Sequence, residues 1–280
     1  MHKSEKITII GILLNTFLFV IKIVVGLVSK STAIISDAVN SFVDVFSAIS
    51  IFFAVRTSNK KPDETHPFGH DRAEPLAAFF VAILTFILGF EIAKAAFENL
   101  FNTSSHNIGI PAIVVLLLTI VIKSGMAGYY LKKGKNRPAI KAIGVDSRND
   151  VLVSSIALLG VVGSFYGYYK LDDVAALVIS IFIFNSAYNL ARENIDYLMG
   201  KCPPKKQIEK LKQKTLEIKG VKGINDVRAQ YVGNKIQVEI HIEVDENIST
   251  KKSHDIGKKV QRAIEKIPEI NKTFIHIDPV

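Results

Sequence analysis

Six long stretches nearly free of charge run through this 280-residue chain, and nothing else in it constrains the fold as strongly. They lie near Ile7–Val28, Thr32–Val55, Pro75–Leu100, Ile108–Leu131, Ala139–Tyr169 and Val174–Leu198. Each is long enough to cross a bilayer as a helix, which takes about 20 residues. The spacing therefore predicts an α-helical membrane protein with six transmembrane helices. The first run follows Lys3 and Lys6 like a signal peptide, but it is too long for an h-region and lacks a small-residue cleavage site, so a mature helix is expected.

The formal charge of +9 would suit a nucleic-acid binder, yet the excess sits in short connections beside apolar runs, where Lys and Arg orient membrane proteins. Arg56, Lys60, Lys61 and Arg72 fill the second connection, and Lys132, Lys133, Lys135, Arg137 and Lys141 fill the fourth. The first and fifth have only Lys30 and Lys170, and the third has neither residue type. By the positive-inside rule both termini and the second and fourth connections face the cytoplasm of a cell (inner) membrane. No nucleic-acid partner is expected. The single cysteine, Cys202, rules out an internal disulfide framework. No nucleophile–base pair or cofactor loop emerges, so an enzyme is not expected.

From Lys201 onward no apolar run approaches a spanning length, and Pro203-Pro204 marks a boundary between residues 1–200 and 201–280. The tail reads as a helix over Gln207–Ile218, strands near Val227–Val232 and Lys235–Val244 joined at Gly233-Asn234, a helix over Ser253–Ile267 and a strand over Thr273–Ile277. This α-β-β-α-β order predicts a small ferredoxin-like α+β domain, which gains stability by dimerising.

Carboxylates inside membrane spans cost roughly 2.5–3.5 kcal/mol each on insertion scales and are functional candidates by default. On the second span Asp37, Asn40 and Asp44 fall within an arc of about 60°, and on the fifth Asp146 and Asp150 lie about 40° apart. If these faces meet, Asn40, Asp44, Asp146 and Asp150 form an all-oxygen cage suited to a divalent cation. The plainer reading pairs Asp146 and Asp150 with Lys141 or Arg148. Asp37, toward the other end of the stripe, lines an exit path or caps the helix start. Lys22 and Lys123 are expected to snorkel to headgroups. Asn15, Asn185 and Asn189 are expected to bond between helices, and Gly160, Gly163 and Gly167 to form a close-packing face.

The second connection carries Asp63, His66 and His70 within eight residues; that density suits a metal, although loop histidines are often only solvated. In the tail, His241, His254, His276 and Asp278 are candidate ligands of a kind that also arises by chance.

These features together, including the His66-Pro67-Phe68-Gly69-His70 loop, resemble the cation diffusion facilitators over nearly the whole chain. The resemblance implies a homodimeric metal/proton antiporter that needs no cofactor and carries divalent metal as substrate. It places the transport tetrad at Asn40, Asp44, Asp146 and Asp150, a loop site at Asp63, His66 and His70, and tail ligands at His241, His254, His276 and Asp278. Asn225 stands where a further histidine is expected, which counts against a full two-metal tail site. The Asn-Asp and Asp-Asp pairs look like the manganese-exporting branch, and the absence of imidazole agrees in direction. Zinc, iron or cobalt export and a non-transporting membrane metal sensor are the alternatives. A drug exporter fits less well, since the chain has no Trp to line an aromatic cavity.

Overall fold

The computed structural model describes the backbone of residues 3–101, 109–133 and 138–280, and the side chains of 12–101, 109–132 and 143–280. Lys3, Lys6, Lys133, Lys135, Arg137 and Lys141 lie outside the described side chains. Among the described residues six helices are long and apolar enough to span a membrane: α1 (Lys3–Ser29), α2 (Thr32–Ser58), α3 (Ala73–Phe101), α4 (Ile110–Lys133), α5 (Pro138–Phe165) and α6 (Lys170–Leu198). The tail adds α7 (Lys205–Leu216), β1 (Gly223–Val232), β2 (Lys235–Val244), α8 (Thr250–Glu265) and β3 (Ile270–Pro279). The chain groups into two compact units, Met1–Ile51 with Phe80–Ala191, and Phe52–Phe79 with Arg192–Val280.

In the first unit Ile34, Ile92, Leu116, Val153, Val161 and Ile179 belong to one buried cluster. Phe80, Phe86, Phe90, Val121, Leu159 and Ile181 stay exposed, as expected where lipid replaces water against a helix surface. The α1–α2 corner turns at Lys30, whose φ of 53° is left-handed. The start of α2 is capped from two sides. Ser31 Oγ accepts from the Ile34 amide at 3.2 Å, and Asp172, at the start of α6, accepts from Ser31 Oγ at 2.6 Å and the Ala33 amide at 3.1 Å. Asp37 is thus not the cap.

Helices α5 and α6 approach closely because Gly160 and Gly163 lack side chains; a Cβ at either would collide with Ala175 or Leu171. Gly167 does not share this face. It lies beyond the end of α5 with φ at 94°, where it permits the turn that ends the predicted fifth run four residues early.

In the second unit β2 alternates strictly. Ile236, Val238, Ile240, Ile242 and Val244 are buried in one core with Leu211, Ile256, Val260 and Ile264, so Gln237, Glu239, His241 and Glu243 occupy the opposite face. β1 pairs antiparallel with β2 through the predicted Gly233-Asn234 turn, and β3 returns through α8 to lie parallel beside β2, as strands joined by a helical crossover do. The loop before α3 packs within this unit. Asn271 Nδ2 donates to Asp71 Oδ2 at 2.9 Å, and Lys272 lies 5.4 Å from the ring centres of both Phe68 and Phe274. Burial raises the Asp71 pKa, and the nearby Lys235 partly offsets that rise.

Candidate metal centres

Residues four apart share a helix face, so the pairs on α2 and α5 can each present two side chains in one direction. They do meet. Asn40, Asp44, Asp146 and Asp150 line a single cavity of about 440 Å³, together with Asn149, Asn185 and Asn189. Asn40 Nδ2 donates to Asp150 Oδ1 at 3.0 Å. The three carboxylates do not close up like a formed chelate, however: among the described residues the groups whose ligand atoms lie within 4.8 Å of one another are elsewhere.

A lysine has come between them. Lys123 of α4 is 1% exposed, its ammonium bonds to Asp150 Oδ2, and it lies 3.9 Å from Asp44 Oδ2. It lines a second cavity, of about 460 Å³, with Asn15, Asp44, Asp146 and Asp150. Asp150 thus does pair with a base, Lys123; of the two expected from the sequence, Lys141 lies outside the described side chains. Lys22 is likewise fully buried. Its ammonium reaches Asp37 Oδ2 at 2.8 Å and Ser41 Oγ at 2.9 Å, while Ser154 Oγ donates to the Asp37 carboxylate at 2.9 and 3.0 Å. Neither lysine snorkels, because each meets a carboxylate at its own depth that could not be buried unpaired. Asp37 is therefore one half of an ion pair joining α1, α2 and α5. Asn185 and Asn189, expected to bond between helices, face the tetrad cavity instead; their i, i+4 spacing on α6 was the available signal.

In the loop, Asp63, His66 and His70 converge. Asp63 lies 3.4 Å from a ring nitrogen of each histidine, and the two rings are 4.4 Å apart. A hydrogen bond from the Thr65 hydroxyl, then one from the His66 amide, holds the Asp63 carboxyl below its ordinary pKa, so an anionic ligand persists there. His70 Nδ1 is buried without a hydrogen-bond partner among the described residues.

The tail histidines meet because of strand register. His241 on β2 lies directly beside His276 on β3, on the face opposite the helices, and Asp278 follows on the same side. Asp278 stands 3.2 Å from His276 Nε2 and 3.8 Å from His241 Nδ1. Asn225 Nδ2 donates to Asp278 Oδ2 at 3.2 Å, so it orients a ligand where a histidine would have added one. His254 is exposed on α8, in the layer covering the other sheet face, and is not brought into this group. Two imidazoles and a carboxylate suit a borderline metal such as zinc; the tetrad offers oxygen alone.

Residues 8–199 match the cation efflux transmembrane domain, and residues 203–280 match the cytoplasmic domain of cation efflux proteins. The whole chain is 36% identical to an uncharacterized transporter of Methanocaldococcus jannaschii, covering all of both chains. Metal tolerance protein C1 of Arabidopsis thaliana is 32% identical over 99% of this chain and 63% of its own length. The manganese efflux system protein MneP of Bacillus subtilis is 29% identical over 99% of this chain and 96% of its own.

Proposed function

This chain belongs to the cation efflux family of metal transporters, the cation diffusion facilitators, and from that premise we propose that it exports Mn²⁺ from the cytoplasm in exchange for protons. The observation that carries the reading is the cavity on which Asn40, Asp44, Asp146 and Asp150 converge with oxygen donors and no imidazole. Hard oxygen ligands suit Mn²⁺, and a relative described as a manganese efflux protein agrees. The same carboxylates hold either metal or protons, so competition for one site couples the two flows. Both termini face the cytoplasm, and the protein works as a homodimer joined through its tail.

Metal-driven proton flux in vesicles across Mn²⁺, Zn²⁺, Co²⁺ and Fe²⁺ tests this reading. Manganese should give the largest signal; zinc flux without manganese flux would overturn the oxygen-ligand argument. Replacing both Asn40 and Asp146 with His supplies two imidazoles, which favour four-coordinate zinc at about 2.0–2.1 Å. That double variant should move preference toward zinc by about tenfold or more, a shift of about 1.4 kcal/mol.

The tail cluster is assigned to metal-dependent regulation rather than carriage. Asp278→Ala should remove one bound zinc per chain by equilibrium dialysis while vesicle flux at saturating Mn²⁺ stays within about twofold, as the tail cluster shares no residue with the tetrad cavity. A collapse of flux would instead favour a sensor whose tail metal is essential to the membrane domain.

A further inference from the structure

Lys123 is not needed for a metal cage, yet it sits where the metal would go. Both oxygens of Asp150 are taken by internal donors, Oδ1 by the Asn40 amide and Oδ2 by the Lys123 ammonium. The nearer Asp44 oxygen lies 3.9 Å from the same ammonium. A divalent cation cannot engage Asp150 and Asp44 together while that ammonium stays, because two cations within a few ångströms repel strongly inside a protein.

Three further observations make displacement feasible. Lys123 belongs to α4, which carries none of the four ligands, so it can withdraw without moving them. Its stem is four flexible carbons. The cavity of about 460 Å³ that it lines with Asn15, Ser47 and Met126 gives the side chain somewhere to go.

We propose that Lys123 is a tethered competitor of the transported cation: its ammonium occupies Asp150 and Asp44 when the site is empty, yields to the incoming metal, and returns to displace it on release. This rests on the transport-site reading above. It adds a residue that sets affinity and release rate without being a ligand. Its charge leaves the unloaded carboxylates neutralised in part, so the empty carrier can return without bare anions in the bundle.

The test uses purified full-length protein and Mn²⁺, with binding followed by loss of the free-ion EPR signal and transport followed in vesicles. Binding that Asp44→Asn removes defines the tetrad's share. Lys123→Gln should bind Mn²⁺ at that share about tenfold more tightly or better, with KM and kcat both lowered because release slows. Lys123→Arg, which keeps the charge, should stay within about threefold of the parent in affinity. In Lys123→Ala, propylammonium, which replaces the lost end of the side chain, should weaken Mn²⁺ binding, whereas it should not do so in the parent.

Unchanged affinity in Lys123→Gln overturns the proposal, as does equal tightening in Lys123→Arg or a failure of propylammonium to compete. Failure of Lys123→Gln to fold would make the lysine a support of the bundle and would also overturn it. If Asp44→Asn removes no binding from the parent, the transport-site reading itself has failed, and the competitor role falls with it.

Discussion

Asp44→Asn is expected to lower divalent-cation flux at least about 100-fold in vesicles while the protein stays folded. Changes that merely disturb the support of a metal ligand cost about 10–100-fold in affinity or activity, and this one removes a charged ligand. Stability should hold because Asp44 is partly exposed, at 34% for its side chain, and Lys123 keeps its closer partner Asp150. Asp150→Asn should behave differently. It deprives a buried ammonium of its direct carboxylate and so should cost about 3–5 kcal/mol of stability as well as transport. Thermal unfolding in detergent separates the two variants. Retained flux in Asp44→Asn would remove that residue from the site, and equal melting temperatures would mean that the Lys123 pair is not buried as described.

Lys22→Met is expected to destabilise the membrane unit by about 3–5 kcal/mol, since among the described residues it leaves the Asp37 carboxylate, at 1% exposure, with the Ser154 hydroxyl as its hydrogen-bond donor. The double variant Lys22→Met with Asp37→Asn should recover most of that loss, because neutralising the second partner removes the uncompensated charge. Its metal flux should persist, as Asp37 is not among the residues lining the tetrad cavity. Denaturation midpoints of the single and double variants supply the comparison. A single variant that loses less than about 1 kcal/mol would show that solvent reaches the pair, and loss of flux in a well-folded double variant would restore Asp37 to the transport path.

The six spans were legible because charge is excluded from stretches of fixed length, and the tail's α-β-β-α-β order because β2 alternates strictly around a two-residue turn. The i, i+4 pairs on α2 and α5 were legible too, but their meeting was only a condition that the family resemblance filled in. What sequence did not give was depth and partner. Lys123 is ten residues from the end of α4, about 15 Å along the axis, too far to reach headgroups, but that reckoning needs the helix end. Lys22 is seven residues from the end of α1, within ambiguous range, and only its pairing with Asp37 decides the matter. A count of buried charges could have suggested both pairs, since each intramembrane lysine has a carboxylate to answer it. The exclusion of His254 was illegible for another reason: periodicity shows that α8 has an apolar face, but not which sheet face that helix covers.

The in-register ladder of His241 and His276 makes the tail's histidine group a gauge of strand alignment. Side chains alternate along a strand, so a slip of β3 by one residue would turn His276 under the helices and bring Ile275 or Ile277 out in its place. A metal held by His241, His276 and Asp278 would therefore fasten the last strand to the sheet at one alignment only. The carboxyl-terminal end of this chain would then tighten or loosen with metal supply.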